Sequence, residues 1–276
     1  MHDHAQHVSN RSRIPTARPD CEERRIHNHD VACHKHRAFE RFSFEHVPSG
    51  EGSNNVTSDR SAWNKLHIRG KRDAVRILFV IAKAGEPVKK TAPKGTCLVI
   101  NAEKKLQALD FWMRNPDYLA SEILNLYEAD TSQKQLLKMA DKVMSGDEPD
   151  IRRLAMQRFL FGAWEALDDA IATLSLPGLV KMQRSFTADG KKIRQTSYFL
   201  TDEGAAKAAE LEKVKPLDWY ASRAEIVATV AGTRSGSQLK SVQYKVAEYN
   251  DARHGTLIAP IREEVADRLK ELKVAA

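Results

Sequence analysis

The clearest pattern of apolar and polar positions in the chain lies between residues 176 and 211. Two alternating runs flank Asp189-Gly190, and a helix-like segment follows them. Alternation with a period of two predicts half-buried strands. A two-residue Asp-Gly loop suits a type I′ hairpin, whose two central residues both need positive φ. That loop pairs Phe186 with Ile193, Met182 with Ser197 and Val180 with Phe199. Val180, Met182, Phe186, Ile193 and Phe199 then share a buried face. Lys181, Gln183, Ser185, Lys192, Arg194 and Thr196 share a polar one. Thr201 is placed to cap the following helix, with Asp202 and Glu203 in its first turn, where the helix dipole favours acids.

Helical spacing accounts for most of the rest. Asp73 and Gly85 bracket an apolar helix over 74–84, although its β-branched content also permits a buried strand. A short apolar run, Cys97 to Ile100, follows a Pro/Lys/Gly-rich loop. Asn101 is a candidate cap for a helix carrying Leu106, Leu109, Phe111, Trp112 and Met113. Pro116 suits the first turn of the next, with Tyr118, Leu119, Ile123, Leu126 and Tyr127 inward. Thr131 or Ser132 opens a third helix ending near Gly146, and Asp150 opens a fourth segment running to Gly162. Residues 163–175 form the helix before the hairpin, with Trp164, Leu167, Ala170, Ile171 and Leu174 on its inner side. Phe159 to Trp164 is too apolar for an exposed loop and reads as a packed corner. Helices over 218–231 and 237–250, and one begun by Pro260, complete the chain.

Residues 1–66 show neither period. Eight of the ten histidines precede residue 47. The segment lacks apolar surface to offset its ordering entropy and reads as a disordered His-rich tail. Its composition resembles translated upstream sequence, and no methionine lies between Met1 and Met113. This gives three parts: the tail (1–66), a helical region with the hairpin (67–215) and a C-terminal helical extension (216–276). The fold class is mainly α, of α+β type.

Composition and motifs exclude several functions. The longest strongly apolar run, Ile77 to Ala82, is far shorter than the roughly 20 residues of a membrane span, and no secretory signal opens the chain. Three cysteines form no disulfide framework. A cytoplasmic protein without a membrane partner is the expectation. His27, His29, Cys33, His34 and His36 offer zinc-type donors at spacings unlike a recognised finger, so no metal site and no cofactor is assigned. The chain has no phosphate-binding glycine loop, HExxH or GxSxG, and no paired carboxylates. Asp168 and Asp169 are neighbours on a helix and diverge by about 100°. No catalytic activity is expected.

The net charge of +7 permits a nucleic-acid partner without requiring one. Lys181, Arg184, Lys191, Lys192 and Arg194, against Asp189 alone, make the hairpin a candidate nucleic-acid ribbon. The helix before it carries Glu165, Asp168 and Asp169 and no Lys or Arg, which suits a protein partner better than a DNA groove.

Gly178, Leu179 and Val180, the basic turn, then Tyr198, Leu200, Thr201 and Gly204 resemble the wing and following helix of bacterial winged-helix proteins. The order LDFWMRNPDYLA, RRLAMQRFLFGAW, hairpin, WYASRAEIVA and LKSVQYKVAEY is similar to the winged-helix middle components of ABC-three-component anti-phage systems. That resemblance implies a non-enzymatic adaptor coupling a P-loop ATPase to an effector. The other reading is a transcriptional regulator that binds DNA through the wing.

Overall fold

A computed structural model describes residues 56–146, 156–159 and 162–276, with side chains from Gly70 onward. The candidate metal ligands His27, His29, Cys33, His34 and His36 lie outside the described residues. The described residues begin with helix α1 (Val56–Ala84). The expected start at Asp73 is therefore corrected, and residues 56–66, assigned to the tail, are helical. Asp73 sits inside the helix, where its carboxylate takes a 2.5 Å hydrogen bond from Arg76 one turn on. The run Ile77 to Ile81 is buried on every side, because α1 runs through the middle of the molecule. The helix stops at Gly85, whose N–H donates to the Ile81 carbonyl.

Strands β1 (Glu86–Pro87) and β2 (Thr96–Asn101) follow, then helices α2 (Glu103–Arg114), α3 (Pro116–Ala129) and α4 (Gln135–Ser145). Pro116 occupies the first turn of α3, as its missing N–H favours. Asn101 does not cap α2. Its side chain accepts from Gln195 and Ser197 on a neighbouring strand, and Ala102 makes the turn with φ 75°. A short hairpin, β3 (Gln157–Phe159) and β4 (Gly162–Trp164), precedes α5 (Asp168–Ser175). Long strands β5 (Val180–Phe186) and β6 (Ile193–Thr201) lead into α6 (Asp202–Leu211). Helices α7 (Asp218–Ala231), α8 (Gly236–Gln243), α9 (Ala247–Asp251) and α10 (Arg262–Ala275) close the chain.

The architecture is α+β. One antiparallel sheet has the order β1-β2-β6-β5, and β3-β4 pair separately. Helix α1 packs on α5, α6, α7 and the sheet, α2 on α7 and α8, and α10 on α3 and α4. Residues 216–276 therefore share one continuous core with the segments before them. No helix among the described residues is long and apolar enough to cross a membrane.

A polar knot lies within that core. Asp110, fully buried, accepts from Arg76 Nε at 2.5 Å and lies 3.2 Å from Arg114 Nε. Burial alone pushes a carboxyl up, but Arg76 and Arg114 outweigh it and hold Asp110 below the usual carboxylate range.

Candidate interaction surface

The long hairpin is rooted by two contacts that explain its sequence signature. Thr201 Oγ accepts from the Gly204 N–H at 2.9 Å, capping α6, and its hydroxyl donates back to the Gly178 carbonyl at 2.8 Å. Gly204 lies directly against the Leu179 carbonyl, so a Cβ there would overlap that oxygen. Gly178 takes φ 77° to turn the chain from α5 into β5. The Gly178, Thr201 and Gly204 positions thus share one close backbone junction.

The register differs from the expectation. Phe186 does face Ile193, but a bulge between Ser185 and Phe186 leaves Arg194 unpaired and shifts the remainder by one residue. Val180 faces Leu200, Lys181 faces Phe199 and Met182 faces Tyr198. The loop causes the shift. Thr187 N–H donates to the Lys192 carbonyl and Gly190 N–H to the Thr187 carbonyl, giving a four-residue connection. Only Gly190 has positive φ, at 68°, so the type I′ loop is not formed. Asp189 accepts from the Lys191 N–H at 3.1 Å and from the Thr187 hydroxyl. These bonds, the Thr187 one foremost, hold its carboxyl below the ordinary range.

The expected buried face is realised only at the root. Val180, Tyr198, Phe199 and Leu200 are buried, and so is Thr196, expected in solvent. Met182, Phe186 and Ile193 are 42%, 55% and 50% exposed. Alternation puts these three with Arg184 on the face that Val180 and Leu200 bury lower down. The strands outrun the helices that cover their base.

The five candidate cations, Lys181, Arg184, Lys191, Lys192 and Arg194, are all exposed. They do not form one face. Lys181 lies on the side opposite Arg184 and donates to the Lys94 carbonyl at 2.8 Å. Lys191 and Lys192 belong to the loop and Arg194 to the bulge.

The acidic helix is also redrawn. Residues 162–164 are strand, so α5 begins only at Asp168, and Trp164 is 38% exposed rather than inward. Asp168 and Asp169 are exposed in the first turn of α5, which carries no Lys or Arg. Glu165 does not point outward with them. Its carboxylate pairs with Arg114, and its backbone exchanges two hydrogen bonds with the Gln107 side chain, at 2.7 and 3.1 Å. It anchors the chain to α2 and the Asp110 knot. Behind the hairpin, Tyr198 is buried close to Glu103 and Asp168. Desolvation first, and those two charges next, hold its phenol well above the ordinary value.

The expected packed corner at Phe159 to Trp164 is corrected: Phe159 and Trp164 on β3-β4 are each 38% exposed. Phe159 lies 5.3 Å from Trp164 and 4.7 Å from His254, ring centre to ring centre. The run Phe159 to Trp164 carried the signal, and its short strands were too brief for a period to register. Among the described residues no group of three His, Cys, Asp or Glu side chains is placed to hold a metal ion.

Comparison with protein-family models, with curated proteins and with solved structures gave no match.

Proposed function

We propose that this chain is a non-enzymatic adaptor whose β5-β6 hairpin is the wing of a winged-helix unit and docks on an acidic protein surface. The unit comprises α1, β2, α5, β5 and β6, with α2 to β4 inserted between β2 and α5. Three features support that reading: the order β2-β6-β5, the helix feeding directly into the hairpin, and the tight Gly178-Thr201-Gly204 root. The observation that carries the protein-binding role is the exposure of Met182, Phe186 and Ile193 on one projecting surface. Large apolar side chains that a fold leaves in solvent together mark a contact site more than scattered single ones do. Arg184 beside them, with Lys191, Lys192 and Arg194 at the tip, selects an acidic partner. A P-loop ATPase and an effector, in a multi-component and possibly defence-related bacterial system, are the partners the sequence resemblance suggests.

A photo-crosslinking residue at position 186, introduced in the cells that make the protein, tests this. The expected product is a protein adduct that disappears when Met182 and Ile193 become Ser. Five exposed cations beside an acid already engaged in its own loop favour the second reading, a DNA-binding regulator. In that case the purified chain binds duplex DNA tightly at physiological salt. Affinity then falls steeply with salt and vanishes when Lys181, Arg184, Lys191, Lys192 and Arg194 become Gln. That result overturns the adaptor. Asp168→Lys with Asp169→Lys is the matching test of the acidic face. Glu165→Lys is unsuitable, because it would place a cation against Arg114.

A further inference from the structure

The sheet β1-β2-β6-β5 has two edges, and they are built differently. Strand β1 is two residues long and ends in Pro87, which has no N–H to offer, so that edge is blunted. Strand β5 runs from Val180 to Phe186 without a proline, and every residue from Lys181 onward is exposed. Exposure of consecutive residues, rather than alternate ones, leaves both faces of the strand and its edge open.

The phase of the ladder sets which backbone groups that edge offers. Thr201 N–H donates to the Leu179 carbonyl, which makes these two residues a hydrogen-bonded antiparallel pair. Such pairs recur at every second position. Lys181, Gln183 and Ser185 therefore turn their N–H and C=O groups toward Phe199, Ser197 and Gln195 on β6. The N–H and C=O groups of Met182 and Arg184 turn the other way. No strand among the described residues pairs with β5 on that side.

The side chains of the same strand select what can pair there. Lys181 and Arg184 are exposed cations, and β5 contains no Asp or Glu. Lys191, Lys192 and Arg194 add to the charge near the tip. The acid among them, Asp189, is engaged by the Thr187 hydroxyl and the Lys191 N–H. A second copy pairing through β5 would bring two sets of these cations side by side, and like charges across a ladder destabilise it. An incoming strand with carboxylates opposite Lys181 and Arg184 reverses that balance. Met182 and Phe186, both exposed, flank Arg184 on one face and leave apolar surface for the residues on either side of such a carboxylate.

Resting on the docking role proposed above, we infer that the acidic partner enters as an extended segment that adds to the free edge of β5 as a further strand of the sheet. Main-chain bonds to Met182 and Arg184 supply affinity, and the side chains around them supply selectivity, as in other cases of strand addition.

The test uses the full, unmodified chain, isotope-labelled, and a capped synthetic peptide of about seven residues, Val-Thr-Glu-Thr-Val-Glu-Thr. Laid antiparallel to β5, it sets its valines against Phe186 and Met182 and its glutamates against Arg184 and Lys181. Hydrogen exchange is read residue by residue by NMR. The Met182 and Arg184 amides are expected to slow about tenfold or more at saturating peptide. Those of Lys181, Gln183 and Ser185, already bonded to β6, change little. N-methylation of the first, third and fifth peptide residues, whose N–H groups face β5, abolishes binding. N-methylation of the second, fourth and sixth leaves it intact, and lysine in place of glutamate abolishes it. The strand addition is overturned by any of five results: no peptide binding, binding without slowed exchange at Met182 and Arg184, equal binding of both methylated forms, equal binding of the lysine peptide, or dimerisation of the chain alone with those amides protected. The crosslink at position 186 judges the docking role separately. An adduct there, with Met182 and Arg184 unprotected by the peptide, removes the strand addition alone. Absence of any protein adduct removes the docking role on which it rests.

Discussion

The two hairpins are anchored by different physics. The long hairpin β5-β6 is held at its root by a close neutral junction: Gly204 against the Leu179 carbonyl, with Thr201 bridging both strands to α6. The short hairpin β3-β4 is held by polar groups. Tyr249 accepts from the Ala163 N–H, and Glu165, just after β4, pairs with Arg114, which neighbours the buried Asp110. A steric junction is indifferent to pH and intolerant of one added carbon. An ionic one tolerates shape changes but fails when a charge is removed. Both hairpins leave large apolar side chains exposed, Met182, Phe186 and Ile193 on the long one and Phe159 and Trp164 on the short one.

The largest expected effect separates the two anchors directly. Asp110→Asn strips the carboxylate from between two buried guanidinium groups. Removing one partner of a buried ionic cluster costs about 3–5 kcal/mol, and denaturant unfolding would measure it. The pH dependence follows from the direction of the shift. Because Asp110 is held below its unfolded value of about 3.9, its contribution is fully present above that value. It is lost as pH falls through the lower folded value. The unmodified chain should therefore lose stability in acid more steeply than Asp110→Asn. Parallel acid profiles would show that the ionic anchor carries no weight.

Gly204→Ala probes the other anchor. The added Cβ meets backbone on both the Leu179 carbonyl carbon and oxygen, which no side-chain rotation relieves. A loss of about 2–3 kcal/mol is expected, at the upper end for overpacking, and it should not vary between pH 5 and pH 8. A neutral result would mean that the root of the long hairpin is looser than its geometry.

How far these anchors were legible depended on their range in sequence. The Thr201 cap, the helix after it, Pro116 and the inward faces of α3 were readable, because each rests on residues within one or two turns. The hairpin's existence was readable too, but its register was not. The Thr187 and Asp189 side chains close a four-residue loop, and the Asp-Gly pair alone does not disclose that. Burial of Met182, Phe186 and Ile193 was inferred from alternation, which says which residues share a face and nothing about whether a layer covers it. The outward Glu165 was lost for a similar reason. Helical spacing placed it beside Asp168, whereas Gln107 and Arg114, over fifty positions earlier, hold it in a strand-to-helix link. The β3-β4 hairpin also leans on residues 254–257, beyond any local window.

Tyr249→Phe is a milder cut at the short hairpin. It removes one hydroxyl, which accepts from Ala163 at 2.7 Å and donates to Gln243 at 3.2 Å. The ring stays packed on Phe111, Tyr118 and Tyr244, but the buried Ala163 N–H loses its partner. A cost of about 1–2 kcal/mol is expected. Faster hydrogen exchange at Ala163, confined to β3-β4, would locate the effect in that hairpin. A uniform increase across the molecule would place it in the general core instead.

The smallest expected effect on stability is also the one that bears most on function. Met182→Ser, Phe186→Ser and Ile193→Ser, made together, alter side chains that are already 42–55% exposed. Substitutions at such positions stay within about 0.5 kcal/mol each. The exposed hydroxyls also lower the tendency of the edge strand β5 to recruit other strands. The triple variant is therefore expected to melt within a few degrees of the unmodified chain and to remain more soluble, while a chain with the crosslinking residue at position 186 and Ser at 182 and 193 loses its adduct. A large drop in melting temperature would mean that the three side chains pack together as a structural cluster. The exposed side chains of the long hairpin would then serve its own stability, and the case for a docking surface would pass to the charged residues alone.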